Sequence, residues 1–113
     1  MSIPPVPTST LPDFKRLADL CKIMADASRL QILWWLSRQE CSVGEIRTLT
    51  GLSQANVSKH LQMLRLGNLV ACRKEGNSRI YFLVDPHHFR RWTESLLDLT
   101  ERSQKEVASC EES

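Results

Sequence analysis

Between residues 42 and 67 two helix starts and two helix stops stand so close together that the chain has little choice of local fold. Ser42 and Glu45 form S-x-x-E, in which the serine oxygen accepts from the third N–H and the glutamate reaches back to the serine N–H. Val43, Ile46 and Leu49 give the short helix that follows its apolar side, and Gly51 suits a left-handed C-terminal residue. Ser53 offers a second cap, after which Val57, Leu61 and Leu64 recur at helical spacing as far as the stop at Gly67. Two short helices joined through Thr50-Gly51-Leu52-Ser53 make a helix-turn-helix, with Ile46, Leu52 and Val57 expected to lock them together.

That packing leaves the other face of the second helix free. It carries Gln54, Asn56, Ser58, Lys59 and Gln62, short polar and amide groups with one cation, near the N-terminal half of a helix that Ser53 opens. Such groups read base edges and bond phosphates in a major groove. An ordinary helical hairpin also has a polar outside, so the motif needs support from its surroundings.

The surroundings supply it. Two strands, Leu69 to Lys74 and Arg79 to Val84, are expected on either side of a turn through Glu75, Gly76, Asn77 and Ser78, with Arg73, Lys74 and Arg79 near the tip. The formal net charge is +2, yet residues 47–79 hold six Lys or Arg against Glu75 alone, a local balance of +5. A basic middle between acidic ends faces a polyanion in one place, where a merely solvated basic face is the plain alternative. Lys74 and Arg79 are the expected backbone contacts on this wing.

Three further helices complete the outline. Asp13 caps a first helix with Phe14, Leu17, Ala18, Cys21 and Met24 in step, and Asp26 or Ser28 caps a second that is apolar over a wide arc through Leu30, Ile32, Leu33, Trp34 and Leu36. Asp85 before Pro86 opens a last, long helix whose Phe89, Trp92, Leu96 and Leu99 repeat like a heptad seam, the pattern of a dimer interface or of a helix packed on its own core. The fold class expected is therefore mostly α with a small β-hairpin wing, in the order α-α-α-α-β-β-α. A flexible, Pro-rich arm covers residues 1–12, the domain 13–107 and a tail 108–113. The arm lacks the charged-then-apolar pattern of a signal peptide, and no apolar run approaches the roughly 18 residues of a membrane span.

LCKIMADASRLQIL, SVGEIRTLTGLSQANVSKHLQMLRLGNLV and RKEGNSRIYFLV resemble the ArsR/SmtB winged-helix repressors, over about Leu17 to Leu99. The resemblance implies a cytoplasmic homodimer joined through the first and last helices and bound to an imperfect inverted repeat in double-stranded DNA. It also implies an effector, often a metal ion, that releases the DNA.

Which effector is less legible. Soft-metal sensors of this family carry C-V-C on the third helix, and Ser42, Val43 and Gly44 stand there instead. Cys41 is one residue too early, and one thiolate makes a poor soft-metal site. The family's other site, on the last helix and shared between subunits, would fall on Asp85, His87, Asp98 and Glu101, with Asp98 in place of the usual histidine. One histidine with three carboxylates is a hard set, compatible with a zinc-like divalent ion, while a helix cap and a solvated acidic face are the simpler reading. His60 is expected to support the recognition helix or to meet phosphate.

Thiol chemistry is the remaining route. The four cysteines show no CxxC pairing and are expected as reduced thiols; Cys21, Cys41 and Cys110 are the redox candidates, with inert burial the alternative for each. Two rival functions stand beside the repressor: a constitutive DNA-binding or architectural protein with no inducer, and a small thiol or metal enzyme, for which no nucleophile–base motif or phosphate-cradling loop speaks.

Overall fold

The structure, a computed structural model, describes residues 2–5 and 7–112, without the side chains of residue 8 and residues 110–112. The helices are α1 (Phe14–Met24), α2 (Ala27–Arg38), α3 (Val43–Thr50), α4 (Gln54–Leu66) and α5 (Pro86–Glu112), with strands β1 (Cys41–Ser42), β2 (Ala71–Glu75) and β3 (Ser78–Phe82) between them. Helix α5 continues to Glu112, beyond the domain limit expected at residue 107.

Each helix starts where a short polar side chain satisfies a free N–H. Asp13 accepts from Arg16 N at 3.1 Å and Asp26 from Arg29 N at 3.0 Å. At α3 both halves of the capping box form, Glu45 N to Ser42 Oγ at 3.2 Å and Ser42 N to Glu45 Oε1 at 3.1 Å. Ser53 accepts from Asn56 N at 3.2 Å and Asp85 from His88 N at 3.0 Å.

The core lies where α2, α3 and α4 meet the sheet, around Ile32, Leu33, Leu36, Cys41, Ile46, Val57, Leu61 and Leu64, closed below by Val70, Tyr81 and Leu83. Ile46 and Val57 are fully buried, and Leu52, half-buried in the turn, packs against the core they belong to, beside Gly51 at φ 75°. The wide apolar arc of α2 divides: Ile32, Leu33 and Leu36 enter the core, whereas Leu30 and Trp34 stay on the surface.

Two local expectations change. The left-handed residue that stops α4 is Asn68 (φ 60°), not Gly67 (φ −82°). Asn68 N bonds Arg65 O and Leu69 N bonds Leu64 O, both at 2.9 Å, a Schellman closure that also takes Leu69 out of the strand. Gly67 lies close to α1: a Cβ there would come 2.8 Å from Ile23 Cδ1, so a larger residue would have to displace the end of that side chain. The turn of the wing is also shorter than expected. Glu75 and Ser78 pair directly and leave only Gly76 (φ 63°) and Asn77 as the loop, the Gly-first arrangement of a type II′ hairpin.

The wing itself is part of a three-stranded antiparallel sheet, ordered β1-β3-β2. β1 was not legible as a strand: Cys41 pairs with Tyr81 and Ser42 with Ile80, so the two residues before α3 tie the helix-turn-helix to the hairpin. Outside this body, α1 and α5 keep much apolar surface: Phe14, Leu17, Trp92, Leu96, Leu97, Leu99 and Val107 are all exposed.

Candidate nucleic-acid interface

Helix α4 turns Val57, Leu61 and Leu64 inward and leaves Gln54, Asn56, Ser58, Lys59 and Gln62 exposed, one polar face along its length. Ser53 stands at the head of that face, its hydroxyl engaged as the cap. Lys59 makes no ion pair among the described residues, so its charge is open to a ligand.

Strand register decides which wing residues join this face. Side chains alternate across a strand, so Cys72, Lys74, Arg79 and Tyr81, paired as Cys72–Tyr81 and Lys74–Arg79, share one side of the hairpin. Tyr81 borders a hollow with Ser58, Gln62 and Arg65 of α4. The side of the wing that carries Lys74 and Arg79 is therefore the side that meets the polar face of α4. Two cations directly opposite each other on neighbouring strands repel, which a bound phosphate backbone would relieve.

Arg73 belongs to the reverse side with Ile80 and Phe82 and does not join the expected cluster at the tip. Its guanidinium makes a two-point contact with Glu40, Nη1 to Oε2 at 3.0 Å and Nη2 to Oε1 at 2.8 Å, with Glu75 Oε2 at 3.4 Å. It also lies over the Phe82 ring, 5.5 Å from the centroid. The hydrogen bond from Arg73 holds the Glu40 carboxyl below the usual carboxylate range, and Glu40 in turn raises Arg73.

His60, on the half-buried flank of α4, faces Arg29 Nη1 at 3.4 Å. Arg29 also donates through Nε to Ile23 O and lies 3.8 Å from the Asp26 carboxylate, which its backbone hydrogen bond keeps below the usual range. One arginine thus joins the end of α1, the start of α2 and the recognition helix. Nothing in the spacing of Arg29 and His60 signals this contact across 31 residues.

The residues proposed from sequence for an effector are dispersed within one protomer. Asp85 caps α5, His87 is exposed, Asp98 pairs with Arg102 at 3.1 Å and Glu101 is exposed. Twelve helical rises from Pro86 to Asp98 span about 18 Å, so the two halves can meet only across two chains. Among the described residues no three His, Cys, Asp or Glu side chains gather as a metal site.

Cys21 is exposed on α1 and Cys72 half-buried on β2; the side chain of Cys110 lies outside the described residues. Cys41 is fully buried, and burial pushes its thiol up, away from the reactive thiolate. Of the seam on α5, Phe89 packs partly against the core and lies 5.8 Å from the Trp92 ring, while Trp92, Leu96 and Leu99 are exposed.

A helix-turn-helix whose second helix is bare, backed by a basic hairpin, is the winged helix-turn-helix of DNA-binding transcriptional regulators. The chain belongs to the arsR family of bacterial regulatory proteins, whose sequence model matches residues 26–71. It is 33% identical over 95 residues to the arsenical resistance operon repressor of Staphylococcus xylosus, which covers 84% of this chain and 89% of that protein. It is 37% identical over 71 residues to the HTH-type transcriptional regulator KmtR of Mycobacterium tuberculosis, covering 63% of this chain and 55% of KmtR. The homodimeric winged helix-turn-helix DNA-binding domain Mb0332 of Mycobacterium bovis has the same fold. Its TM-score is 0.71 at 28% identity, over 84% of this chain and 95% of that one. No helix among the described residues is long and apolar enough to cross a membrane.

Proposed function

We propose that the protein is a homodimeric, sequence-specific repressor of transcription, acting in the cytoplasm on an imperfect inverted repeat. The observation that carries this reading is the border of two surfaces: Tyr81, on the side of the wing that carries Lys74 and Arg79, lines a hollow with Ser58 and Gln62 of the polar face of α4. Gln54, Asn56, Ser58 and Gln62 read base edges in the major groove, and Lys59, Lys74 and Arg79 bind phosphates. The bare apolar faces of α1 and α5 meet their copies in a two-fold dimer; the Mb0332 domain, of the same fold, is homodimeric. Such a dimer places two α4 helices one turn of DNA apart, about 34–36 Å.

An effector lowers affinity by favouring a dimer geometry in which the two reading helices no longer match successive grooves. A coupling of roughly 1–3 kcal/mol is typical. A zinc-like ion would take Asp85 and His87 from one chain with Asp98 and Glu101 from the other, and Asp98 must then leave Arg102. A thiol-reactive effector would act through Cys21 or Cys110 in preference to the buried Cys41.

Selection of duplexes from a random pool, followed by binding titrations, tests the reading. The expected result is a two-fold symmetric site held as two protomers; recovery of no preferred duplex would overturn it. Titrating the complex with zinc, arsenite, persulfide and peroxide separates an inducible repressor from a constitutive binder, which ignores all four.

A further inference from the structure

Arg73 counts toward the basic stretch in sequence, but its place in the sheet assigns it a different task. β2 is an edge strand that pairs only with β3, and β1, the link to the helix-turn-helix, is two residues long. Arg73 crosses this junction. It starts on β2, passes over Phe82 of β3 and ends on Glu40, the residue immediately before β1 and two before the Ser42 cap of α3. Both oxygens of Glu40 are taken, and Glu75 holds the guanidinium from its own strand. The guanidinium is on the side of the wing away from Lys74, Arg79 and the α4 groove.

Resting on the DNA-binding reading above, we propose that Glu40 and Arg73 are a positioning pair: a strap across the three strands that sets the wing against the helix-turn-helix so that Lys74 and Arg79 meet the phosphates flanking the site read by α4. Arg73 itself contacts no phosphate. The strap fixes the angle of the outer part of a hairpin whose base is seated in the core through Tyr81 and tied to β1 by two residue pairs, and it acts through the wing without adding charge to the interface.

The test compares salt dependences on a duplex selected by the wild-type protein. Each phosphate neutralised contributes about 0.9 to the slope of log K against log salt. Lys74→Ala should lower the slope by about that amount. Arg73→Met, which keeps the apolar stem over Phe82, should weaken binding by about twofold to fivefold, the range of an exposed ion pair, and leave the slope unchanged. Glu40→Ala should weaken binding to a similar extent, and the double variant should be no weaker than either single one. Arg73→Met lowering the slope like Lys74→Ala, or Glu40→Ala binding tighter with a steeper slope, would overturn the proposal, since Arg73 would then be a phosphate contact that Glu40 competes for. Amide exchange without DNA gives an independent reading. Both single variants should speed exchange in β2 and β3 while α3 and α4 keep their protection; unchanged exchange in the hairpin counts against the strap even if no duplex is selected.

Discussion

Truncating Leu96 to alanine tests whether the bare face of α5 is a subunit interface. Leu96 is 47% exposed in the protomer, so roughly half of the ~1.5–3 kcal/mol gained by burying a leucine remains to be gained on association. A two-fold interface uses each residue twice, so Leu96→Ala removes on the order of 1.5–3 kcal/mol per dimer, about a 10- to 150-fold rise in the dimer dissociation constant. Sedimentation velocity over a dilution series measures it, and circular dichroism checks that the helices persist. Glu94→Ala, an exposed acid on the same helix, is the control and should leave the constant within about twofold. If wild type and Leu96→Ala dissociate at the same concentration, the seam is not the interface and the physical reading of α5 fails.

Lys59→Ala should reduce the salt slope of DNA binding by about 0.9, so that its deficit against wild type shrinks about 3.5-fold between 50 and 200 mM salt; an unchanged slope would take Lys59 out of the interface. Alkylation with iodoacetamide and mass spectrometry should find Cys41 unmodified in the native protein and modified in denaturant, because burial both shields the thiol and raises its pKa. Asp26 binds its proton more weakly when folded, so its stabilising effect is full above the unfolded carboxylate value of about 4 and is lost as pH falls through the lower folded value. Thermal melts of Asp26→Asn should therefore vary less with pH in that acidic window than those of wild type. Ser42→Ala removes one half of the α3 capping box and should lower stability by about 0.5–2 kcal/mol in urea titration, with no change in m.

What the sequence made legible is what depends on neighbours along the chain. A cap and its N–H are three residues apart, so Asp13, Asp26, Ser42, Ser53 and Asp85 all announced their helices, and the periodicity of Val57, Leu61 and Leu64 told which side of α4 would be left bare. What remained hidden depends on distant partners. β1 is too short for any alternation and exists because Tyr81 and Ile80 arrive beside it. The helix stop at Gly67 was legible, but that Asn68 takes the left-handed position while Gly67 faces Ile23 of α1 depends on how α1 packs. The candidate site divides in the same way: the bare face of α4 follows from local rules, whereas the Arg29–His60 contact and the Glu40–Arg73 strap join residues 31 and 33 positions apart.

The distribution of charge shows why a count of cations alone is a weak guide to such an interface. Residues 47–79 are formally +5, but Arg73 is matched by Glu40 from outside that interval, and Glu75 holds the same guanidinium. The other five cations of that interval, Arg47, Lys59, Arg65, Lys74 and Arg79, make no ion pair among the described residues, and of these Lys59 on α4 and Lys74 and Arg79 on the wing are the ones proposed to meet phosphates. The Lys74–Arg79 pairing works against the folded hairpin in isolation, since like charges oppose each other across two strands. On the proposed reading a phosphate backbone beside both residues would offset that repulsion, and the Glu40–Arg73 strap, being internally neutral, would hold the hairpin in place without reducing the attraction of Lys74 and Arg79 for DNA.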